Sequence, residues 1–132
     1  MQAMERLIPQ LTQNSPAPSE EQLQQMLDNP NTVLFVASNP DGIIGFLTLA
    51  TYRIPTGVVG WIEDVVVDEA ARGQGAGEAL TRAALDKAEL MGCKSVSLTS
   101  RPARVAANRL YQRVGFTQPE TNFYRYSIKK KN

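Results

Sequence analysis

The stretch Trp61–Glu78, WIEDVVVDEAARGQGAGE, decides the fold. Its apolar run Val65-Val66-Val67 predicts a buried strand, which ends at Asp68 in a short polar turn. Three glycines at alternate positions then lead into a helical pattern. Such a turn leaves several backbone N–H groups unpaired at the start of a helix, where the helix dipole adds roughly half a positive charge. The stretch therefore predicts a strand, turn and helix that bind phosphate.

The spacing of the glycines separates this turn from other phosphate-binding loops. It does not fit the dinucleotide pattern G-x-G-x-x-G, and it lacks the Lys-Ser/Thr pair that follows the last glycine of an NTPase loop. The missing Cβ atoms let a diphosphate approach the main chain closely, and an arginine supplies a permanent cation beside it. The predicted phosphate-binding residues are Arg72, Gly73, Gln74, Gly75, Ala76, Gly77 and Glu78.

Two motifs in this order resemble the GNAT superfamily of N-acyltransferases. The acyl-CoA loop of that family reads Arg/Gln-x-x-Gly-x-Gly/Ala, and the run Val65–Asp68 resembles its central strand. The second motif of the family is a helix carrying Tyr, followed by Gly-Phe. The matching residues are Arg72, Gly75 and Gly77 in the first motif, and Asn108, Tyr111, Gly115 and Phe116 in the second. The resemblance covers about half of the chain. It implies an α/β fold with a mixed, mostly antiparallel twisted sheet, helices on both faces, and acetyl-CoA as co-substrate.

Composition limits the remaining possibilities. A chain of 132 residues is long enough for one domain with its own core, so residues 1–132 are predicted to form a single domain. Lys and Arg number 14 against 13 Asp and Glu, so no strong field recruits nucleic acid or an acidic membrane. Cys93 is the single cysteine, which excludes an intrachain disulfide and, together with the lack of a signal peptide, agrees with the cytoplasm.

The chain contains no histidine. This excludes Ser-His and Cys-His nucleophile pairs and the usual zinc sites, so no metal is expected. Proton transfer must then fall to carboxylates, tyrosine, water or the main chain.

Periodicity predicts the other elements. The expected helices cover Gln2–Gln13, a segment from Ser19 to Asp28 that opens with a capping box, a segment from the glycine turn to Gly92, and one ending about Val114. The expected strands cover Thr32–Ser38, Ile43–Tyr52 and Ser95–Thr99, with a final antiparallel pair in Phe116–Ile128 around Gln118–Asn122. Lys129–Lys131 should be a solvated end.

The chain starts with a helix, whereas the GNAT pattern starts with a strand. The strand Thr32–Ser38 would have been the neighbour of that first strand, so it is predicted to be an exposed edge. An exposed edge permits pairing with a second copy, as in a homodimer.

The predicted strand Val65–Val67 is expected to bind the coenzyme through its backbone. Main-chain groups there could bind the pantetheine arm as an added strand and polarise the thioester carbonyl, while the three side chains are core.

The carboxylates just upstream, Glu63 and Asp64, are the candidates for binding the amine and accepting its proton. Alternation places them on opposite faces unless a bulge intervenes, and Glu63 is favoured, acting directly or through a water. A lysine-like amine costs about 4.6 kcal/mol to neutralise at pH 7, against about 1 kcal/mol for an α-amino group. Acceptors of lower pKa or a desolvated Glu63 are therefore favoured, and a purely orienting role for both carboxylates remains an alternative.

The family resemblance implies that Tyr111 hydrogen-bonds the coenzyme sulfur as it leaves. A thiol with a pKa near 8.5 is a better acid than a phenol near 10, so stabilising the thiolate is the expected role, with a plain core tyrosine as the alternative. Many family members carry Asn seven residues before this tyrosine, where this chain has Arg104. Asn108 lies on the same helix face as Tyr111 and could bind the pantetheine instead. Arg101 and Arg104 could reach the 3′-phosphate or an acidic acceptor.

The segment Gly60–Val67 resembles that of small-molecule acetyltransferases such as those for amino-sugar phosphates. The function expected is acetyl transfer from acetyl-CoA to a small-molecule amine by direct attack. Protein N-termini or lysines remain open as acceptors. A non-catalytic acyl-CoA-binding module is an alternative of another class, and an RNA-directed domain has only the lysine tail and a few arginines in its favour.

Overall fold

The computed structural model describes residues 1–128. Four helices and four strands follow one another along the chain. Their bounds are α1 (Gln2–Leu11), α2 (Glu20–Asp28), β1 (Thr32–Asn39), β2 (Gly42–Ile54), β3 (Gly57–Val67), α3 (Ala76–Leu90), β4 (Cys93–Ser97) and α4 (Val105–Val114), with a single 3-10 turn at Glu69–Ala71 between β3 and α3.

The two N-terminal helices follow their sequence signals closely. Ser19 caps α2, because its Oγ accepts from the Gln22 N–H at 3.1 Å while Gln22 Oε1 accepts from the Ser19 N–H at 2.9 Å. Helix α1 ends at Leu11, earlier than predicted, because Thr12 already has an extended backbone. Leu27 of α2 is 50% exposed, so α2 contributes a narrower apolar stripe than its sequence indicates.

The sheet has the strand order β1-β2-β3-β4. The first three strands are antiparallel, and β4 pairs parallel to β3. This is the mixed, mostly antiparallel sheet that was predicted, with β1 at its edge. Strand β4 runs Cys93–Ser97, two residues earlier than predicted, because the chain returns to the sheet directly after Gly92, whose φ is 81°.

Each face of the sheet packs against its own helices. On one face, α3 buries an aliphatic cluster with the sheet, made of Leu47, Leu49, Ile62, Leu80, Ala84 and Ala88. On the other, α1 buries Met4 and Leu7 against Phe46 and Val66. Since Leu47 and Leu49 are fully buried, truncating either to Ala would cost about 2–5 kcal/mol.

A β-bulge interrupts β3 just before its C-terminal end. Between the pairs Phe46↔Val66 and Thr48↔Glu63, β3 has two residues where β2 has one. Asp64 takes a φ of 52°, the one left-handed non-glycine residue in the part of the chain that the structure describes. The extra residue puts Glu63 and Val66 on the α1 face, whereas strict alternation would have separated them.

The final strand pair predicted in Phe116–Ile128 was wrong, because none of these residues lies in a strand. Residues 117–128 are all exposed, and Pro119 has no N–H to offer a ladder. A hairpin without a sheet or helix to pack against is only marginally stable. The predicted solvated end Lys129–Lys131 lies outside the described residues. Within residues 1–128, no helix combines the length and the apolarity that crossing a bilayer requires.

Candidate active site

The phosphate-binding turn begins where β3 ends. The Asp68 N–H donates to Ile44 O at 2.7 Å, which carries the sheet one residue beyond Val67. Asp68 Oδ1 then accepts from the Ala70 N–H at 3.1 Å, so the carboxylate starts the 3-10 turn. The chain reaches α3 through Gly73 and Gly75, with φ values of 87° and 80°. Both glycines are needed here because a side chain would strain that backbone conformation.

The turn leaves a row of main-chain donors without acceptors. Helix α3 makes its first backbone hydrogen bond from the Ala79 N–H to Gly75 O, at 3.1 Å. Among residues 1–128, the N–H groups of Gly73 to Glu78 make no hydrogen bond to the protein. Unpaired donors at a helix N-terminus suit an anion, and the glycines leave room for it. This part of the chain therefore fits a diphosphate.

Among the side chains around the turn, Arg72 is unpaired within the described residues, whereas Gln74 and Glu78 are held by other side chains. Arg72 is exposed and forms no ion pair within the described residues. Gln74 Oε1 accepts from Asn39 Nδ2 at 3.3 Å. The Glu78 carboxylate pairs with Arg113 and Arg82, and these two hydrogen-bonded guanidinium groups hold the pKa of Glu78 below its usual value. Glu78 can thus meet a phosphate through its N–H but not through its side chain.

Strands β3 and β4 diverge beside this turn. They pair only between Val58–Trp61 and Cys93–Ser97. From Ile62 onward, β3 has no strand neighbour on that side among the described residues, although β2 still pairs with its other side. Half of the polar groups of an edge strand point away from its partner, so Val65–Val67 can receive an extended ligand as an added strand. The side chains of Val65 to Val67 pack into the cores, as predicted.

Ser100 is a further candidate residue that the sequence analysis missed. It follows β4 at the end where the strands diverge, and its Oγ is buried without a hydrogen-bond partner among residues 1–128. A buried hydroxyl usually has a partner, so the orphan marks a place for a polar ligand atom or water. The signal in the sequence was weak, because Ser100 is only one polar residue of the loop that follows the predicted strand Ser95–Thr99.

Tyr111 is held by packing. Its side chain is 8% exposed, and its ring meets Phe116 edge-on with the centroids 5.8 Å apart. Burial raises the pKa of the Tyr111 phenol, and the nearby charge of Arg104 acts in the opposite direction. The phenol therefore keeps its proton at neutral pH and can donate a hydrogen bond.

Asn108 is already engaged with the protein. Its Nδ2 donates to Arg101 O at 3.0 Å and to Arg104 O at 2.9 Å, which holds the first turn of α4 against the preceding loop. Only Oδ1 is left for a ligand. Arg101 and Arg104 themselves have exposed side chains.

Glu63 lies one strand pair beyond the bulge, opposite Thr48. Partial burial raises the pKa of Glu63, the Asp64 charge raises it further, and Arg125 lowers it. A higher pKa makes Glu63 a better proton acceptor than an ordinary carboxylate. Asp64 takes the left-handed backbone conformation of the bulge. The rule that neighbouring side chains point to opposite faces therefore does not apply to Glu63 and Asp64.

Comparison with known proteins agrees with this geometry. The profile of the acetyltransferase (GNAT) family matches residues 2–116. Glucosamine 6-phosphate N-acetyltransferase 1 of rice is 40% identical over 62 residues, which are 47% of this chain and 36% of the relative. Mycothiol acetyltransferase of Renibacterium salmoninarum is 33% identical over 87 residues, 64% of this chain and 26% of the relative. The aligned regions thus span well under half of each relative's length.

A solved structure extends the likeness over nearly the whole chain. A putative acetyltransferase from Agrobacterium tumefaciens superposes with a TM-score of 0.83 at 26% identity, covering 96% of this chain and 92% of that one.

Proposed function

Because the chain belongs to the GNAT acetyltransferase family, we propose that it moves an acetyl group from acetyl-CoA to a primary amine of a small molecule. The amine attacks the thioester directly, and no covalent enzyme intermediate forms. The observation that carries this proposal is the run of unpartnered N–H groups from Gly73 to Glu78, lying at the same end of β3 as the open strand edge. The named relatives, which act on a sugar phosphate and on mycothiol, support a small-molecule acceptor.

In the proposed complex, the amides of the glycine turn bind the diphosphate, with Arg72 beside them. The backbone of Val65–Val67 hydrogen-bonds the pantetheine arm, and one of its N–H groups polarises the thioester carbonyl. Ser100 Oγ offers a further polar contact at the divergence of the strands. Asn108 contributes through Oδ1 alone.

Two side chains assist the transfer, Glu63 as a proton acceptor and Tyr111 as a hydrogen-bond donor. Glu63 removes one proton from the bound ammonium, directly or through a water, helped by its raised pKa. The neutral amine is then the nucleophile, and the second proton that its nitrogen loses as the amide forms leaves through solvent. As the amine nitrogen bonds to the carbonyl carbon, the carbon–sulfur bond breaks, and the Tyr111 hydroxyl donates a hydrogen bond to the departing thiolate. The raised pKa of Tyr111 favours this donation over full proton transfer. Asp64 helps to hold the ammonium group.

The proposal is tested in two steps on the full chain. Calorimetric titration with CoA and acetyl-CoA measures binding, and release of free CoA against a panel of amino sugars, polyamines, aryl-alkylamines and peptides measures transfer. We expect binding of both coenzymes and thiol release with small amines. Binding without release for every amine would instead favour a non-catalytic acyl-CoA-binding module, and absence of binding would refute the proposed phosphate site. Preference for peptides would move the acceptor class to protein N-termini or lysines.

A further inference from the structure

An aromatic pair lies on the same face of the sheet as Glu63. Trp61 precedes Glu63 by two residues on β3, so both side chains point to the α1 face, about 7 Å apart along the strand. Tyr52 lies on β2 two pairs further out and on the same face, since Trp61 pairs with Ala50 and Tyr52 with Val59. The pair therefore stands next to the predicted base, on the side away from the phosphate-binding turn.

A hydrogen bond joins this pair, which is not part of the hydrophobic core. The Trp61 Nε1–H donates to Tyr52 Oη at 3.1 Å. Tyr52 is 48% exposed, and neither ring joins any of the hydrophobic clusters formed by the described residues. Because the indole occupies an acceptor position of the Tyr52 hydroxyl, the hydroxyl proton remains available to a ligand.

Both side chains of the pair reach solvent, since Tyr52 is exposed and Trp61 is only partly buried. Helix α1 buries Phe46 and Val66, which lie near the other end of β2 and β3. Between that cluster and the aromatic pair, Thr48 and Ala50 are only partly buried and form a small floor beside Glu63. Aromatic walls with a few polar groups are typical of small-molecule sites.

We infer that Tyr52 and Trp61 form the wall of the acceptor site and select amines that carry a ring. An apolar ring face packs on the two side chains while the amino group reaches Glu63, and the Tyr52 hydroxyl donates to a ring substituent. A linear amine places its amino group at Glu63 but leaves the Tyr52 and Trp61 rings exposed to water. This inference rests on the proposed acetyl transfer and specifies its substrate class.

Glucosamine and putrescine test it as ring-bearing and linear acceptors. In Tyr52→Leu and Trp61→Leu, the KM for glucosamine should rise about tenfold, while the KM values for acetyl-CoA and putrescine change less than about twofold. Trp61 is the single tryptophan of the chain, so its fluorescence should respond to glucosamine added in the presence of CoA, with about tenfold weaker binding in Tyr52→Leu.

A purely structural role of the pair would give a different pattern. Thr56→Ala is the matched control, because it removes the hydrogen bond from Lys94 Nζ at 2.9 Å at the turn of the same hairpin without touching the aromatic pair. It should leave both amine KM values unchanged. Equal effects of the leucine variants on both amines, no effect, or a Trp61 signal indifferent to glucosamine would overturn the inference. Absence of thiol release with every amine in the native protein would refute the proposed function, and the Trp61 titration would still decide whether the wall binds a ring amine.

Discussion

Arg113 of α4 donates two hydrogen bonds to one carboxylate oxygen of Glu78 in the first turn of α3, from Nε at 3.0 Å and from Nη2 at 2.9 Å. The second Glu78 oxygen receives Arg82 Nε at 3.3 Å. This pair joins the helix that begins at the phosphate-binding turn to the helix that carries Tyr111. It fixes one side of the proposed coenzyme site through two long, half-exposed side chains.

Removing this link should weaken coenzyme binding more than folding. In Arg113→Ala, we expect the KM for acetyl-CoA to rise about threefold with a small change in the thermal midpoint, because exposed ion pairs contribute little to stability. Arg109→Ala on the same helix is the control, since Arg109 is exposed and forms no ion pair within the described residues. Equal KM values in the two variants would show that the link does not position the site.

Tyr111→Phe removes the hydroxyl and keeps the ring that packs on Phe116. Turnover should fall about 10²-fold with little change in the KM for acetyl-CoA, because the lost hydrogen bond forms only as the thiolate leaves. Rates of thiol release across the pH range measure this. An unaltered rate would remove Tyr111 from the mechanism and leave it as a core residue.

Glu63→Gln tests the base. The native rate should rise as the pH passes upward through the raised pKa of Glu63, because only the ionised carboxylate accepts a proton. In the Gln variant, the rate should fall about 10²-fold and lose that ascending limb. Asp64→Asn is the comparison at the adjacent bulge position, where we expect an effect mainly on the acceptor KM. A retained limb in Glu63→Gln would assign it to the amine itself.

The glycine turn allows a test with a matched strain control. Gly75 and Gly92 flank α3 with φ values of 80° and 81°, and a Cβ at either would meet no atom within 4 Å. Alanine should therefore cost a similar amount at both, about 1–2 kcal/mol. Only Gly75→Ala should reduce acetyl-CoA binding in calorimetry, because only Gly75 precedes the free amides. Equal binding by both variants would refute the turn as the phosphate site.

Asp68 connects the phosphate-binding turn to α1 and should make stability depend on pH. The N–H of Ala70, then Gln10 and Arg6, lower the pKa of Asp68. A carboxylate whose folded pKa lies below its unfolded value, about 3.9, stabilises the fold above that value and loses this contribution as the pH falls through the folded pKa. The thermal midpoint of Asp68→Asn should thus lie below that of the native protein at pH 7, and the two should converge in acid.

Asp86→Asn is the control for this experiment, since Asp86 is exposed and has no ion pair in residues 1–128. Its thermal midpoint should follow the native protein at every pH. A constant difference between Asp68→Asn and the native protein down to acid pH would mean that the Asp68 charge is not responsible.

Local chemistry accounts for what the sequence alone determined. The capping box at Ser19, the helix ends at glycine, the strand before Asp68 and the glycine turn after it each depend on neighbouring residues, so short-range patterns predict them. The edge position of β1 was expected from the family resemblance, and the strand order confirms it.

Tertiary structure decided what depends on contacts between distant segments. The bulge at Asp64 exists only because β2 and β3 pair with unequal spacing, and it places Glu63 on the face that carries Val66. The burial of Ser100 Oγ and the Glu78–Arg113 pair arise from packing between elements. The absent C-terminal hairpin follows the same rule, since β-propensity in Phe123–Ile128 forms a strand only where a partner buries it.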